Sequence, residues 1–292
     1  MFADAHCDTI TRILDSKQSL YENDGHVDIK RMKDCCLQYF AIFIHPKYNP
    51  FDRFVEGINK FYEVYDEKYL KLILNAEDLG QKTGALLTIE GGSAIEGTIE
   101  KLQYAYQRGV RCMTVKWNGD NQLANDDGLT PFGKSVIKEM NKMKMIIDVS
   151  HLSDKGFYDV MDITDSPVMA SHSNCRALCG HKRNLTDHQI KEIINCKGFI
   201  GLNFYPDFLC EGEATVDDIL RHACHILDLG GEDVLGFGSD FDGVDRLPKD
   251  ILGIQNMNNV TVQFCKTELS QQQLNKVFYG NLCNFTKQIL KK

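Results

Sequence analysis

Short runs of β-branched, aromatic and aliphatic residues alternate along the chain with longer stretches in which apolar residues recur every three or four positions. Eight runs read as strands: Met1 to Ala5, Leu37 to Ile44, Ala85 to Ile89, Val110 to Lys116, Met145 to Ser150, Pro167 to Ser171, Phe199 to Tyr205 and Val234 to Ser239. Helical patterns lie between most of them, for example Ile99 to Gln107, Phe132 to Asn141, Asp154 to Asp162, Asp187 to Asn195 and Val216 to Leu229. Such alternation implies parallel strands covered on both faces. Eight units predict an α/β fold closed into a (β/α)8 TIM barrel, with a final helix from Ser270 onward packed outside. No Ser/Gly-rich or Pro-rich linker interrupts the series, so residues 1–292 read as a single catalytic domain.

Composition narrows the classes. With 43% hydrophobic and 25% charged residues the chain can bury a substantial core, which excludes disorder as its main description. A net charge of −8 without a basic stripe argues against a nucleic-acid partner. The longest apolar stretches, such as Cys36 to Ile44, fall well short of the roughly 20 residues needed to span a bilayer, so no membrane partner is expected. Met1 to Asp8 lacks the basic and apolar regions of a secretory leader. The eleven cysteines form no Cys-x-x-Cys repeat and read as reduced, buried thiols, which points to the cytoplasm.

The candidate chemistry sits where these strands end, the place barrel enzymes reserve for their active sites. His6 and Asp8 are two apart at the end of the first strand, so they share a face with Cys7 on the other. Glu90 follows the third strand and precedes Gly91-Gly92, which permit close backbone approach. His151, His172 and Asp240 close the fifth, sixth and eighth runs. Three imidazoles and three carboxylates are the ligand mix of zinc, manganese, iron or cobalt, not of a calcium cage. Their number exceeds one tetrahedral ion and suggests two metals, with Glu90 placed to bridge.

In order and spacing these motifs resemble the membrane (renal) dipeptidases, peptidase family M19 of the amidohydrolase superfamily. The likeness runs from Asp4-Ala5-His6-Cys7-Asp8 through Glu90-Gly91-Gly92, Asp148-Val149-Ser150-His151, Ser171-His172-Ser173, Arg183-Asn184 and Asn203-Phe204-Tyr205 to Gly238-Ser239-Asp240-Phe241-Asp242-Gly243 and Asn281-Leu282. The resemblance implies a zinc-dependent dipeptidase acting on small dipeptides, L,D as well as L,L, with two Zn2+ or other divalent transition metals. His6, Asp8 and Glu90 would hold one ion, and Glu90, His151 and His172 the other. In that family a hydroxide between the ions is the nucleophile. It further implies that Asp240 handles protons and Arg183 grips the terminal carboxylate, roles suited to a carboxylate beside metal ions and to a guanidinium. A homodimer is expected by the same analogy.

One departure stands out: Trp117 falls where the vertebrate enzymes carry a substrate-contacting histidine, and an indole brings no positive charge to an oxyanion. That leaves the metals, Asn118 or Asn121 for the task. Trp117, Asn118, Asn203 and Tyr205 are expected near the substrate. His222 and His225 read as helix-packing residues, His45 and His181 as outer candidates. Asp148 reads as a partner of a metal-bound histidine, and Asp242 either as that or as a turn cap. No apolar run follows Leu290, so a counterpart of the vertebrate anchor is not expected. Two alternatives remain: another hydrolase of the superfamily acting on a small carboxylate-bearing amide or lactam, and a metal-stabilised binding protein without catalysis.

Overall fold

The computed structural model describes residues 1–80 and 82–291. Eight strands form the barrel: β1 (Phe2–Cys7), β2 (Cys35–Phe43), β3 (Thr83–Glu90), β4 (Val110–Thr114), β5 (Ile146–Asp148), β6 (Met169–Ala170), β7 (Phe199–Leu202) and β8 (Leu235–Phe237). Every neighbouring pair is parallel. The ring closes where β8 meets β1 through Asp4 and Phe237.

The strands are shorter than several of the apolar runs that announce them. β5 stops at Asp148 and β6 at Ala170 because the chain leaves the ladder there to turn toward the barrel mouth. A short strand, Leu70–Leu72, pairs with the start of β3 and had no signal in the pattern. The helices at Ile99–Gln107 and Asp187–Asn195 have the expected bounds, and Thr130, Ser153 and Thr186 cap three helix starts by accepting backbone N–H groups. The helix expected from Ser270 is built of Gln271–Asn275, a π turn at Lys276–Gly280 and Asn281–Leu290.

Two apolar clusters carry the packing. The larger joins the outer strand faces to the surrounding helices. The smaller unites Leu37, Tyr39, Leu86, Cys112, Ile146, Met169 and Phe199, from the strand beginnings, with Leu282, Phe285 and Ile289 of the last helix. That helix thus plugs one end of the barrel, and the opposite end, where the strands finish, is left for chemistry. No helix among the described residues is long and apolar enough to cross a membrane.

Candidate metal centre and active site

Asp8 sits at the N-cap of the helix Thr9–Ser16, a position where an aspartate ordinarily accepts a helix amide, yet it makes no such bond. Its Oδ2 lies 3.3 Å from His6 Nε2, and its buried Oδ1 has no partner. Glu90 ends β3, and the chain then turns through Gly91 at φ 111°, open to glycine but strained for other residues. A Cβ on Gly92 would meet Val115 O at 2.4 Å, so the close approach expected of this pair is realised. Glu90 divides its oxygens: Oε2 lies 3.6 Å from His6 Nε2, whereas Oε1 lies 3.0 Å from His151 Nε2 and 3.5 Å from His172 Nε2. Asp240 Oδ1 stands 3.8 Å from His6 Nε2, and Asn203 Nδ2 donates to Oδ2 at 3.0 Å. All six strand-end groups therefore converge.

The hydrogen bonds behind the imidazoles decide what they can bind. His151 Nδ1 pairs with Asn118 Oδ1 at 3.1 Å, and His172 Nδ1 with Ser171 Oγ at 2.6 Å. Asn118 Oδ1 can only accept, so His151 carries its proton on Nδ1 and its Nε2 presents a lone pair, 2.8 Å from His172 Nε2, with both nitrogens facing Glu90 Oε1. His6 Nε2 likewise has no hydrogen-bond partner. Buried imidazole nitrogens and carboxylates facing one another are unfavourable unless protons or cations sit between them. Ligand atoms of His6, Glu90 and His172, and of His6, Asp8 and Asp240, lie mutually within 4.8 Å, two groups that share His6 and offer the nitrogen and oxygen donors that suit a divalent cation.

Charge is distributed accordingly. Burial and the Glu90 charge push Asp8 up to about 8. His6 is held well above the usual imidazole range: burial alone would lower it, but the Glu90 and Asp8 carboxylates outweigh that. Burial and Arg183 lower His151 to about 4, and burial with the neighbouring His6 charge lowers His172 well below its ordinary value. Glu90 stays below the usual carboxylate range against its burial, held there by His6 and His151. Asp240 is raised by burial, with Glu90 adding to it.

A cavity of about 820 Å³ opens over this centre, with Asp8, Glu90, His151, Asp240, Arg183, Trp117, Asn118 and Tyr205 on its walls. Arg183 is buried, donates from Nη2 to His172 O at 3.3 Å and leaves Nε unpartnered. His181 Nδ1 accepts from Arg183 N at 3.2 Å, so this histidine supports the arginine's loop. The Trp117 ring lies 4.7 Å from Phe43 and 6.2 Å from His151, forming an apolar wall. Of the two asparagines near it only Asn118 reaches the cavity. Asn121 is consumed by its own turn, accepting from Leu123 N and Ala124 N and donating to Val115 O. Asn203 does not line the cavity but holds Asp240.

Asp242 proves to be a loop anchor: it accepts from His26 N at 2.6 Å and Thr9 Oγ1 at 2.7 Å, and touches no metal-site imidazole. His222 accepts from Cys175 N through Nδ1 and faces Leu209 O through Nε2, a packing role. Sequence reasoning missed Phe43 and Phe208 on the cavity wall. Phe43 ends β2, so its strand-end position was an available signal; nothing in the pattern marked Phe208.

Residues 1–291 match the sequence model of the membrane dipeptidase family, peptidase family M19. An uncharacterized dipeptidase of Schizosaccharomyces pombe is 31% identical over 277 residues, 83% of this chain; the chain spans 66% of that protein's length. A Klebsiella pneumoniae protein encoded in the pqqA 5′ region is 32% identical over 242 residues, 75% of this chain and 89% of that protein. Among solved structures, a metallopeptidase of Rhodobacter sphaeroides carrying a phosphinate mimic of L-Ala-D-Ala superposes with a TM-score of 0.90 at 25% identity, covering 99% of both chains. The M19 metallopeptidase described as dipeptidase AC gives 0.88 at 25% identity, over 100% of this chain and 99% of that one. With the barrel, the convergent ligand set and these matches, the chain belongs to the membrane dipeptidase family, peptidase family M19, a family of metallo-dipeptidases.

Proposed function

We propose that the chain hydrolyses the peptide bond of small dipeptides at a centre of two divalent cations, zinc in the first instance, held by His6, Asp8, Glu90, His151 and His172. The observation that carries this reading is the split of Glu90, one oxygen turned to His6 and the other to the pair His151 and His172. Two cations held there would supply an acidified water as nucleophile and polarise the scissile carbonyl.

The chain's own groups account for the remaining tasks. Arg183, a buried cation with an unpartnered Nε, binds the substrate's terminal carboxylate in a charge-assisted pair. Asp240, fixed by Asn203 and raised by burial, takes a proton from the water and passes it to the leaving amine. Trp117 and Tyr205 wall the substrate, and Asn118 both orients His151 and borders the cavity. Acceptance of L,D as well as L,L dipeptides is part of this proposal, supported by the Rhodobacter sphaeroides relative with its L-Ala-D-Ala mimic. The eleven free cysteines support a cytoplasmic site of action.

The test is turnover of a panel of L,L and L,D dipeptides by the purified protein, before and after chelation and with zinc restored. Metal-dependent release of free amino acids is expected. Absence of hydrolysis across the panel by fully metallated protein would refute the dipeptidase reading, and small amides and lactams bearing a carboxylate would then be tried.

A further inference from the structure

His172 is gripped from behind by groups with no part in the reaction just described. Ser171 Oγ lies 2.6 Å from His172 Nδ1 and 2.6 Å from Asp148 Oδ2. Asp148 Oδ2 also accepts from Thr114 Oγ1 at 2.7 Å, and Oδ1 accepts the backbone N–H groups of Ser150 and Ser171, each at 3.0 Å. Every residue of this chain of bonds is buried. A serine hydroxyl has one proton to give, and Asp148, to which two backbone N–H groups and Thr114 Oγ1 already donate, is the acceptor of this set. The Ser171 proton therefore goes to Asp148, and the lone pairs of Oγ are left for His172 Nδ1–H.

We propose that Ser171 and Asp148 are positioning residues that lock His172 in its Nδ1–H tautomer and thereby set cation affinity at the position formed by His172, His151 and Glu90. The inference rests on the two-cation reading above. A second pair in the same barrel supplies an internal control. Ser239 Oγ donates to Asp4 Oδ2 at 2.6 Å and Ser239 N donates to Asp4 Oδ1 at 2.8 Å, the same clamp between neighbouring strands. Its oxygen, however, accepts from Phe241 N at 3.3 Å, not from an imidazole. One clamp sets a ligand's proton; the other holds backbone.

The decisive variant is Asp148→Asn. The two backbone N–H groups on Oδ1 keep the amide oxygen there, so the NH2 group takes the Oδ2 place and donates to Ser171 Oγ. Of the acceptors then left to Ser171, His172 Nδ1 at 2.6 Å is nearer than Ser150 Oγ at 3.3 Å, so the hydroxyl turns to the imidazole, which drives the ring proton to Nε2 and removes the ligand lone pair. Ser171→Ala removes the lock without reversing it. Zinc affinity of the metal-free proteins would be measured by competition with a chromophoric chelator, with thermal unfolding as the folding check and long-range 1H–15N spectra of labelled histidine reporting the tautomer. Loss of an outer partner of a metal-bound histidine typically lowers affinity 10- to 100-fold.

The expected result is a loss of about that size at one of two sites in Ser171→Ala, a larger one in Asp148→Asn with an Nε2–H signal, and no loss in Ser239→Ala. Equal losses in Ser171→Ala and Ser239→Ala, or unchanged affinity in Asp148→Asn, overturns the inference while the metal centre stands. A wild-type protein that takes up no divalent cation overturns both.

Discussion

Replacing Arg183 with alanine separates substrate recognition from structure. Arg183 is buried, with 8% of the residue exposed; its guanidinium makes one hydrogen bond, to His172 O, and leaves Nε unpartnered, while burial depresses its pKa. No carboxylate forms a salt bridge with it among the described residues, so a substrate carboxylate would provide the missing counter-charge in a site that water screens little. Truncating one member of a buried, hydrogen-bonded charge pair costs about 2–5 kcal/mol. At roughly 1.4 kcal/mol per factor of ten, kcat/KM for L-Ala-L-Ala should fall about 30- to 4,000-fold. Because the free enzyme loses an uncompensated buried cation, its melting temperature should change little. The assay is a cycle: wild type and Arg183→Ala, each against a dipeptide and its C-terminal amide. Wild type should discriminate strongly against the amide, and the variant should treat both alike. If Arg183→Ala lowers turnover of dipeptide and amide by the same factor, or unfolds at markedly lower temperature, the arginine is structural and the carboxylate-binding reading is refuted.

Three further outcomes follow from the same site. In the chelated protein Asp8 and His6 have folded pKa values raised above their unfolded ones, so the stability they contribute is present at low pH and lost as pH rises through their folded values. Above about pH 7.5 the lowered His151 and His172 are neutral in both states, so calorimetry should show the metal-free protein losing stability between about pH 7.5 and 9, with zinc abolishing most of the slope. Gly243→Ala would place a methyl 2.2 Å from Asp8 Oδ2 and 2.4 Å from Asp240 Oδ1; zinc uptake and activity should drop while the circular dichroism spectrum is retained, and normal activity would contradict the assigned geometry. Asp240→Asn, nearly isosteric, should lower kcat by about 10²- to 10⁴-fold with zinc content unchanged, as measured by metal analysis and steady-state kinetics.

The barrel was legible because its signal is repeated eight times, so errors at single elements do not alter the count. Boundaries were less so: the Pro167 to Ser171 run yields only Met169–Ala170 as ladder, since hydrophobicity reports burial and not hydrogen bonding. The convergence of the six strand-end groups was legible for a related reason, each being an ionisable residue just past an apolar run, where burial of a charge demands a partner. Asn118 and Asn121 could not be told apart, because both are strand-end amides and only the loop's own turn, closed by Asn121 on Leu123 and Ala124, assigns them. Asp148 was readable as support for a metal-site histidine, but Ser171, which carries the contact, was not. Serine in a strand-end motif has many uses, and only the distances to His172 Nδ1 and Asp148 Oδ2 select one.

Backbone conformation tells the same story from the side of stability. His151, Asp240 and Asp242 adopt φ values of 68°, 64° and 65°, left-handed conformations that cost a non-glycine residue about 1–2 kcal/mol each. All three lie at strand ends around the mouth, and each has a polar grip nearby that fixes it. Asn118 and Glu90 hold the His151 ring. Asn203 holds the Asp240 carboxylate. His26 and Thr9 hold Asp242. The barrel's apolar clusters offset the strain, and what the strain secures is a set of polar groups aimed at one another. Such a set is poorly suited to a folded protein without cations and well suited to one that binds them, so cation affinity and the rigidity of these three turns should rise and fall together.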